Sequence, residues 1–329
     1  MRILIVGAGS IGERHLRVLK QIGADPVPVE PRDEKRRYLQ DTYGLRELYR
    51  DFAEANLKDF NGVAVCTPSD QHIGYATAAA QAGCHLFIEK PLSITPDGVE
   101  ELLALAESKK LVCQMGYVMR HHPNVAQIRR WLAADEIGRI RSAYYLGGYD
   151  VAQARPDYRG TYWQKKTTGG GTIWDATHQI DLLHWWMGDI VEVSCFGGHL
   201  SEFEVEQQVE DIAVVLYRFG SGALACAQYN HFRRDYRSQW ELVGEKGTIV
   251  WNYLESKASL YRHRDRSWEH RVLTLERDDF YHLQMQNFLA ACRGEAQPLA
   301  TGRDGLTSMK VALACYRSMA SHKAERVSR

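Results

Sequence analysis

The residues able to do chemistry fall in three stretches of the chain. The first, Gly7-Ala8-Gly9-Ser10-Ile11-Gly12, has the spacing G-x-G-x-x-G. Glycines there let the backbone approach a pyrophosphate, and the N-terminus of a following helix favours its negative charge. Glu30 stands about 20 residues beyond, where a carboxylate bonds the hydroxyls of an adenosine ribose and repels a 2′-phosphate. That favours NAD over NADP, while Arg32, Arg36 and Arg37 stand close enough in sequence to receive the phosphate instead. The second stretch is Glu89-Lys90-Pro91. A lysine at a strand end can stabilise a developing alkoxide or relay a proton. Base work at neutral pH requires its usual pKa of ~10.4 to be lowered by burial or positive neighbours.

The third stretch runs Gly169-Gly170-Gly171-Thr172-Ile173-Trp174-Asp175-Ala176-Thr177-His178-Gln179-Ile180-Asp181. Asp175, His178 and Asp181 step by three along an expected helix, so neighbours in the row share a face. A histidine with a carboxylate one turn away on either side suits a general base. Three plainer readings stand beside it. Thr172-x-x-Asp175 resembles a capping box, so Asp175 can simply cap the helix. His178 can be a satisfied buried histidine, or a zinc ligand. No further ligand cluster accompanies it, so no metal is expected. The three glycines permit close approach to a ligand or to another part of the chain.

These groups need elements to hold them. Ile3–Val6, Pro26–Glu30, Gly62–Cys66, Cys84–Glu89 and Leu111–Gly116 read as short buried strands. Helical patterns over Glu13–Ile22, Asp33–Tyr43, Gln71–Ala82 and Pro96–Lys109 separate them. Such alternation implies a doubly wound parallel sheet of the Rossmann type. The pattern then changes. A helix is expected at Asn124–Ala134, a Tyr-rich strand at Arg139–Gly148 and a helix at Trp174–Met187. The strands Ile212–Phe219, Ala223–Asn230, Gln239–Val243 and Gly247–Tyr253 follow with Gly turns, the mark of an antiparallel sheet. Helices over Phe280–Cys292 and Leu306–Ser318 close the chain. The expected domains are 1–118, binding a dinucleotide, and 119–329, binding substrate and building oligomers. The last helix is free to pack back on the first domain.

Composition excludes several classes. Lys+Arg and Asp+Glu number 41 each, so there is no basic excess of the kind nucleic-acid binding calls for. No apolar run approaches the ~18 residues that span a bilayer, so no membrane partner is expected. The seven cysteines are scattered without a C-x-x-C, which suits reduced thiols of a cytoplasmic protein.

Together these residues resemble the Gfo/Idh/MocA family of NAD(P)-dependent oxidoreductases. Four segments carry the resemblance: Ile5–Gly12; Val65-Cys66-Thr67-Pro68-Ser69 with His72; Gly83 through Phe87-Ile88-Glu89-Lys90-Pro91-Leu92; and Gly169–His178. It implies a Rossmann domain followed by an α/β domain with a large, open, mostly antiparallel sheet, whose exposed face commonly builds dimers or tetramers. It implies that Lys90 is catalytic, that His178 is the acid/base, and that Asp175 orients and contacts substrate. It places Gly7, Gly9, Ser10, Ile11, Gly12, Glu30, Thr67, Pro68, His72, Glu89 and Lys90 at the cofactor. Trp163-Gln164 stands where members place a Trp-Arg pair near the nicotinamide, so Trp163 joins that set. The Asp–His spacing departs from the family's polyol dehydrogenases, being three rather than four, so Asp181 also competes as the functional partner.

The substrate side is expected to include Arg120, Tyr149, Arg155, Tyr162, Asp175, His178 and Asp181. Aromatics stack on sugar faces and cations bind carboxylate or phosphate. A sugar, sugar acid, nucleotide sugar or cyclitol fits this set. The expected activity is hydride transfer between a ring hydroxyl and NAD. Two other readings stay open: redox-neutral glycoside processing with tightly held NAD, and a non-catalytic dinucleotide sensor.

Overall fold

The computed structural model describes residues 1–156, 158–206 and 208–328. In chain order its first elements are β1 (Arg2–Val6), α1 (Ser10–Gln21), β2 (Asp25–Val29), α2 (Asp33–Tyr43), β3 (Gly62–Val65), α3 (His72–Ala82), β4 (His85–Ile88), α4 (Val99–Ser108) and β5 (Cys113–Met115). There follow α5 (Pro123–Ala133), β6 (Ile140–Asp150), α6 (Val151–Ala154), α7 (Thr172–Asp175), α8 (Thr177–Met187), β7 (Ile190–Gly198), β8 (Ile212–Phe219), β9 (Leu224–Asn230), β10 (Phe232–Gly244), β11 (Gly247–Asn252), β12 (Lys257–Arg262) and β13 (Ser267–Val272). The chain ends with α9 (Asp279–Cys292), α10 (Gly302–Ser321) and β14 (Glu325–Arg326).

By its contacts the chain divides into two units. The first is Met1–His121 with Arg277–Leu306, and the second is His122–Glu276 with Thr307–Arg329. In the first, five strands lie in the order β2-β1-β3-β4-β5, all parallel. This is the expected doubly wound sheet. Parallel strands are covered on both faces, which is why their sequences are almost wholly apolar. Ile3, Ile5, Ala64 and Phe87 form a core with Leu16 and Leu19 of α1. Met285, Phe288 and Leu289 of α9 belong to the same core, and the rings of Phe87 and Phe288 sit edge to face at 5.6 Å. It is therefore the penultimate helix that packs wholly into the first unit, because its apolar face matches that sheet. Each fully buried side chain of this kind contributes roughly 1.5–3 kcal/mol.

The second unit holds nine strands in the order β13-β12-β11-β10-β6-β9-β8-β7-β14. All pairs are antiparallel except β6 with β9. One face is buried by alternate residues such as Ala213, Val215 and Tyr217 of β8, while Val214, Leu216 and Arg218 between them are exposed.

Three local features differ from expectation. β10 begins at Phe232, seven residues before the expected start, because the charged run Arg233–Arg237 shows no burial alternation even though it is strand. β7, β12, β13 and β14 lack the regular buried–exposed alternation that would reveal them. The expected helix Trp174–Met187 is two helices with a break at Ala176. The Thr177 hydroxyl donates to the Trp174 carbonyl at 3.0 Å and occupies an acceptor where the chain turns.

Candidate functional site

In the first unit the glycine motif is built by steric necessity. Gly7 has φ +91°, in the left-handed region, and a Cβ on Gly12 would stand 1.9 Å from the Gly7 carbonyl oxygen. A Cβ on Gly9 would meet nothing within 4 Å, so this is the open side of the turn. α1 starts at Ser10 with no side-chain cap, leaving its first N–H groups as anion donors. Beside it lies a cleft of about 400 Å³ lined by residues including Gly9, Ser10, Arg14, Arg32 and Lys35. Glu30 directly follows β2 and is 2% exposed. Its carboxylate accepts from the Arg32 amide at 3.0 Å, Nε at 2.7 Å and Nη2 at 2.9 Å. Burial pushes this carboxyl up, but the Arg32 donors outweigh burial and hold it below the ordinary value.

Thr67 and Pro68 follow β3. The Thr67 hydroxyl is buried with no hydrogen-bond partner among the described residues. His72 is buried, with Nδ1 2.8 Å from the Pro91 carbonyl and Nε2 2.9 Å from the Thr67 carbonyl. Burial lowers its pKa against the pull of those carbonyls. It therefore ties the turn after β3 to the turn after β4. The Lys90–Pro91 bond in that second turn is cis, and Lys90 is half-buried.

Glu89 is anchored by a residue the sequence reading passed over. His15 of α1 has no exposed surface, and its Nε2 lies 2.6 Å from Glu89 Oε1. Glu89 Oε2 accepts the Lys90 amide at 3.1 Å. A Cβ on Gly116 would come within 2.7 Å of that carboxylate, so only glycine fits there. Arg120, expected at substrate, is 2% exposed, and donates to the Leu299 carbonyl at 2.8 Å and to Asp304 at 2.9 Å. Its guanidinium ties together remote parts of the first unit.

In the second unit Asp175 closes α7, and partners far away in sequence converge on it. The Tyr149 hydroxyl donates to its Oδ2 at 2.8 Å, and His231 Nε2 lies 3.2 Å from the same oxygen. Arg155 Nη2 stands 3.9 Å from Oδ1, and its Nη1 donates to the Tyr162 hydroxyl at 3.1 Å. Burial, then the Asp175 charge, pushes the Tyr149 phenol well above its ordinary value, so it stays neutral. Trp163, expected at the cofactor, is 0% exposed and packs with Val151 and Tyr158; its indole N–H donates to His231 Nδ1 at 3.1 Å. His178 is half-buried at the start of α8, and Asp181 is buried one turn later. The break at Ala176 separates Asp175 from both, so the three do not share one continuous helix.

The Gly169–Gly171 turn serves the chain's own packing. A Cβ on Gly170 would stand 2.3 Å from the Trp163 carbonyl, and one on Gly171 2.4 Å from Glu210. Glu210, missed in the sequence reading, closes the start of α7 from outside. Its carbonyl accepts the Thr172 amide at 3.1 Å, and its Oε1 accepts the Ile173 amide and the Tyr316 hydroxyl, both at 2.9 Å. Burial raises its pKa to about 7 despite these donors. Asp175 is thus not needed as the cap of its own helix. No group of three or more His, Cys, Asp or Glu able to hold a metal occurs among the described residues. No helix there is long and apolar enough to cross a membrane.

Residues 1–117 match the NAD-binding Rossmann fold of the GFO_IDH_MocA oxidoreductase family, and residues 129–327 match that family's C-terminal alpha/beta domain. The chain is 28% identical over 332 residues to the myo-inositol 2-dehydrogenase of Thermotoga maritima, spanning 97% of this chain and 96% of that protein. Among solved structures it superposes on levoglucosan dehydrogenase in complex with NADH and levoglucosan, with a TM-score of 0.91 at 20% identity over 100% of each chain. It also superposes on the WlbA dehydrogenase of Bordetella pertussis in complex with NADH and UDP-GlcNAcA. There the TM-score is 0.84 at 21% identity, over 100% of this chain and 99% of that one. Those two likenesses show the fold. The glycine cradle, the uncapped start of α1 and the buried Thr67 hydroxyl suit a dinucleotide. Matched across both its domains, the chain belongs to the Gfo/Idh/MocA family of NAD-dependent oxidoreductases.

Proposed function

We propose that the chain moves hydride between NAD and a ring hydroxyl of a neutral sugar or cyclitol, with Lys90, His178 and Asp175 as its working groups. One observation carries the reading: Asp175 faces donors from Tyr149 and His231, with the Arg155 cation nearby. A carboxylate oriented in this way accepts strongly from a substrate hydroxyl. Arg155 already faces a negative charge, so the set does not call for an anionic substrate. His178 takes the hydroxyl proton, a role worth roughly 10²–10⁴ in rate. The Lys90 ammonium stabilises the developing alkoxide. Gly7, Gly9, Ser10, Ile11 and Gly12 hold the cofactor's pyrophosphate, Thr67 and Pro68 flank it, and Glu30 accepts from the adenosine ribose. When bound, the nicotinamide supplies the hydride acceptor or donor.

The myo-inositol and levoglucosan dehydrogenases among the similar proteins support a ring polyol. A second reading, a sugar acid or nucleotide sugar, is favoured by the partial exposure of Arg155, whose side chain is 32% accessible. Absorbance at the reduced-nicotinamide band separates the two when NAD is mixed with cyclitols, anhydrosugars, sugar acids and nucleotide sugars. A rise with the neutral compounds is expected. A rise confined to the acidic ones overturns the neutral reading.

The open face of the nine-stranded sheet suits a second copy of the chain. Phe196 pairs with Val214 across β7 and β8, and Leu216 and Tyr144 both lie opposite Cys226 of β9. Phe196 is 67% exposed and Leu216 55%. Contiguous apolar surface of this kind marks an interface. Light scattering should report a dimer or tetramer; a monomer at micromolar concentration would contradict it. All seven cysteines are unbridged, which suits the reducing cytoplasm as the proposed location.

A further inference from the structure

We infer that His231 is a positioning residue for Asp175, held by Trp163 in the tautomer that carries its proton on Nε2. The inference rests on the reading of Asp175 as a substrate-contacting group.

The indole N–H is a donor with no lone pair to offer. Trp163 Nε1 lies 3.1 Å from His231 Nδ1, so that nitrogen must be bare and accepting. In a neutral ring the proton then sits on Nε2, 3.2 Å from Asp175 Oδ2, and is donated to the carboxylate. An imidazolium would set N–H against N–H at Nδ1. The clash would be buried, since Trp163 is 0% and His231 4% exposed.

The ring has little freedom to turn away. Its main chain is fixed on both sides, the His231 amide donating to the Asp211 carbonyl at 2.8 Å and its carbonyl accepting the Val151 amide at 2.9 Å. It sits in the short gap between β9 and β10. The rings of Trp163 and Tyr149 lie 5.0 and 5.1 Å from it. The titratable and charged groups facing it include Asp175 and Tyr149, with Arg155 beyond Asp175. Trp163, His231 and Asp175 thus form a one-way chain of donors, indole to imidazole to carboxylate. It fixes the carboxylate's rotation. Tyr149 holds the same oxygen from another side.

The test compares His231→Leu, His231→Gln and Trp163→Phe, with Asp175→Asn as the reference. His231→Leu should lower kcat/KM about ten- to a hundred-fold, the usual cost of losing an orienting partner. A glutamine amide can both donate to Asp175 and accept from Trp163, so His231→Gln should restore most of that loss. Trp163→Phe removes the indole donor and lets the ring take a second proton. A new fall in kcat/KM with decreasing pH should appear, and the Trp163→Phe/His231→Gln double variant should lack it. A purely structural role would give equal losses in the Leu and Gln variants and no new pH limb. Wild-type activity in His231→Leu alongside a collapse in Asp175→Asn overturns the inference alone. Wild-type activity in Asp175→Asn overturns the reading beneath it. Should Trp163→Phe not fold, the ¹⁵N imidazole signals of the wild-type protein decide. An Nε2–H tautomer that does not titrate between about pH 5 and 8 is expected, and an Nδ1–H tautomer or ordinary titration contradicts it.

Discussion

The first unit sets its polar groups mostly by neighbours in sequence, whereas the second gathers them from far apart. Glu30 is held by Arg32 two residues on, and Glu89 by the amide of Lys90 next to it. Asp175 is held by Tyr149, Arg155 and His231, and His231 in turn by Trp163, 68 residues away. A dinucleotide has one fixed shape, and a short turn with a helix start can meet it. A substrate pocket has to be assembled by tertiary structure, so its groups need struts from several segments. A remote strut also occurs in the first region, His15 on Glu89, which links α1 to the turn bearing Lys90.

The largest effect that sharpens this contrast is on rate. Lys90→Ala and His178→Ala should each cost on the order of 10²–10⁴ in kcat, with NAD affinity nearly intact. Near-wild-type turnover in either would move that role elsewhere.

Next comes the remote strut. His15→Leu removes one partner of a buried, hydrogen-bonded pair and should cost about 3–5 kcal/mol of stability, read from urea unfolding. A cost under about 1 kcal/mol would mean that the Glu89 turn holds itself.

Glu210 tests the corresponding strut in the second unit through pH. Its pKa rises from 4.5 to about 7 because burial disfavours the charged form. Between those values the folded chain binds more protons than the unfolded one. This contribution is therefore full below about pH 4.5 and is lost as pH rises through about 7. Glu210→Gln should flatten the decline by up to a few kcal/mol, measured by denaturation across that range. An unchanged slope would place the titration on another group.

Smallest is the cofactor preference. Glu30→Ala removes the carboxylate and frees Arg32, so the NAD to NADP ratio of kcat/KM should fall about tenfold. An unchanged ratio would take Glu30 away from the ribose.

The same contrast explains what was legible in the sequence. The parallel sheet was readable because its strands are short apolar runs punctuated by Gly and Pro, a local signal. So were Gly7–Gly12, Glu30 and Glu89-Lys90-Pro91 as motifs. His15 was not, because one histidine on an amphipathic helix looks like any other until its distant partner is known. Resemblance places Trp163 at the cofactor, whereas its indole is buried against His231. Arg120 looked like a substrate cation because nothing nearby in sequence announces Asp304. The spacing of Asp175, His178 and Asp181 suggested one face of one helix, and the Thr177 hydroxyl at the Ala176 break undoes that periodicity. Glu210 gave no local sign at all. Its role is to cap a helix more than thirty residues away in sequence.

The central claim is a division of labour, with the first unit holding cofactor and the second reading substrate through Asp175. Steady-state kinetics of Asp175→Asn, with NAD and an active ring polyol both varied, tests it most directly. The account predicts that kcat/KM for the polyol falls by about 10² or more, while NAD affinity stays within about twofold of wild type. A loss confined to NAD, or equal in both, would contradict it.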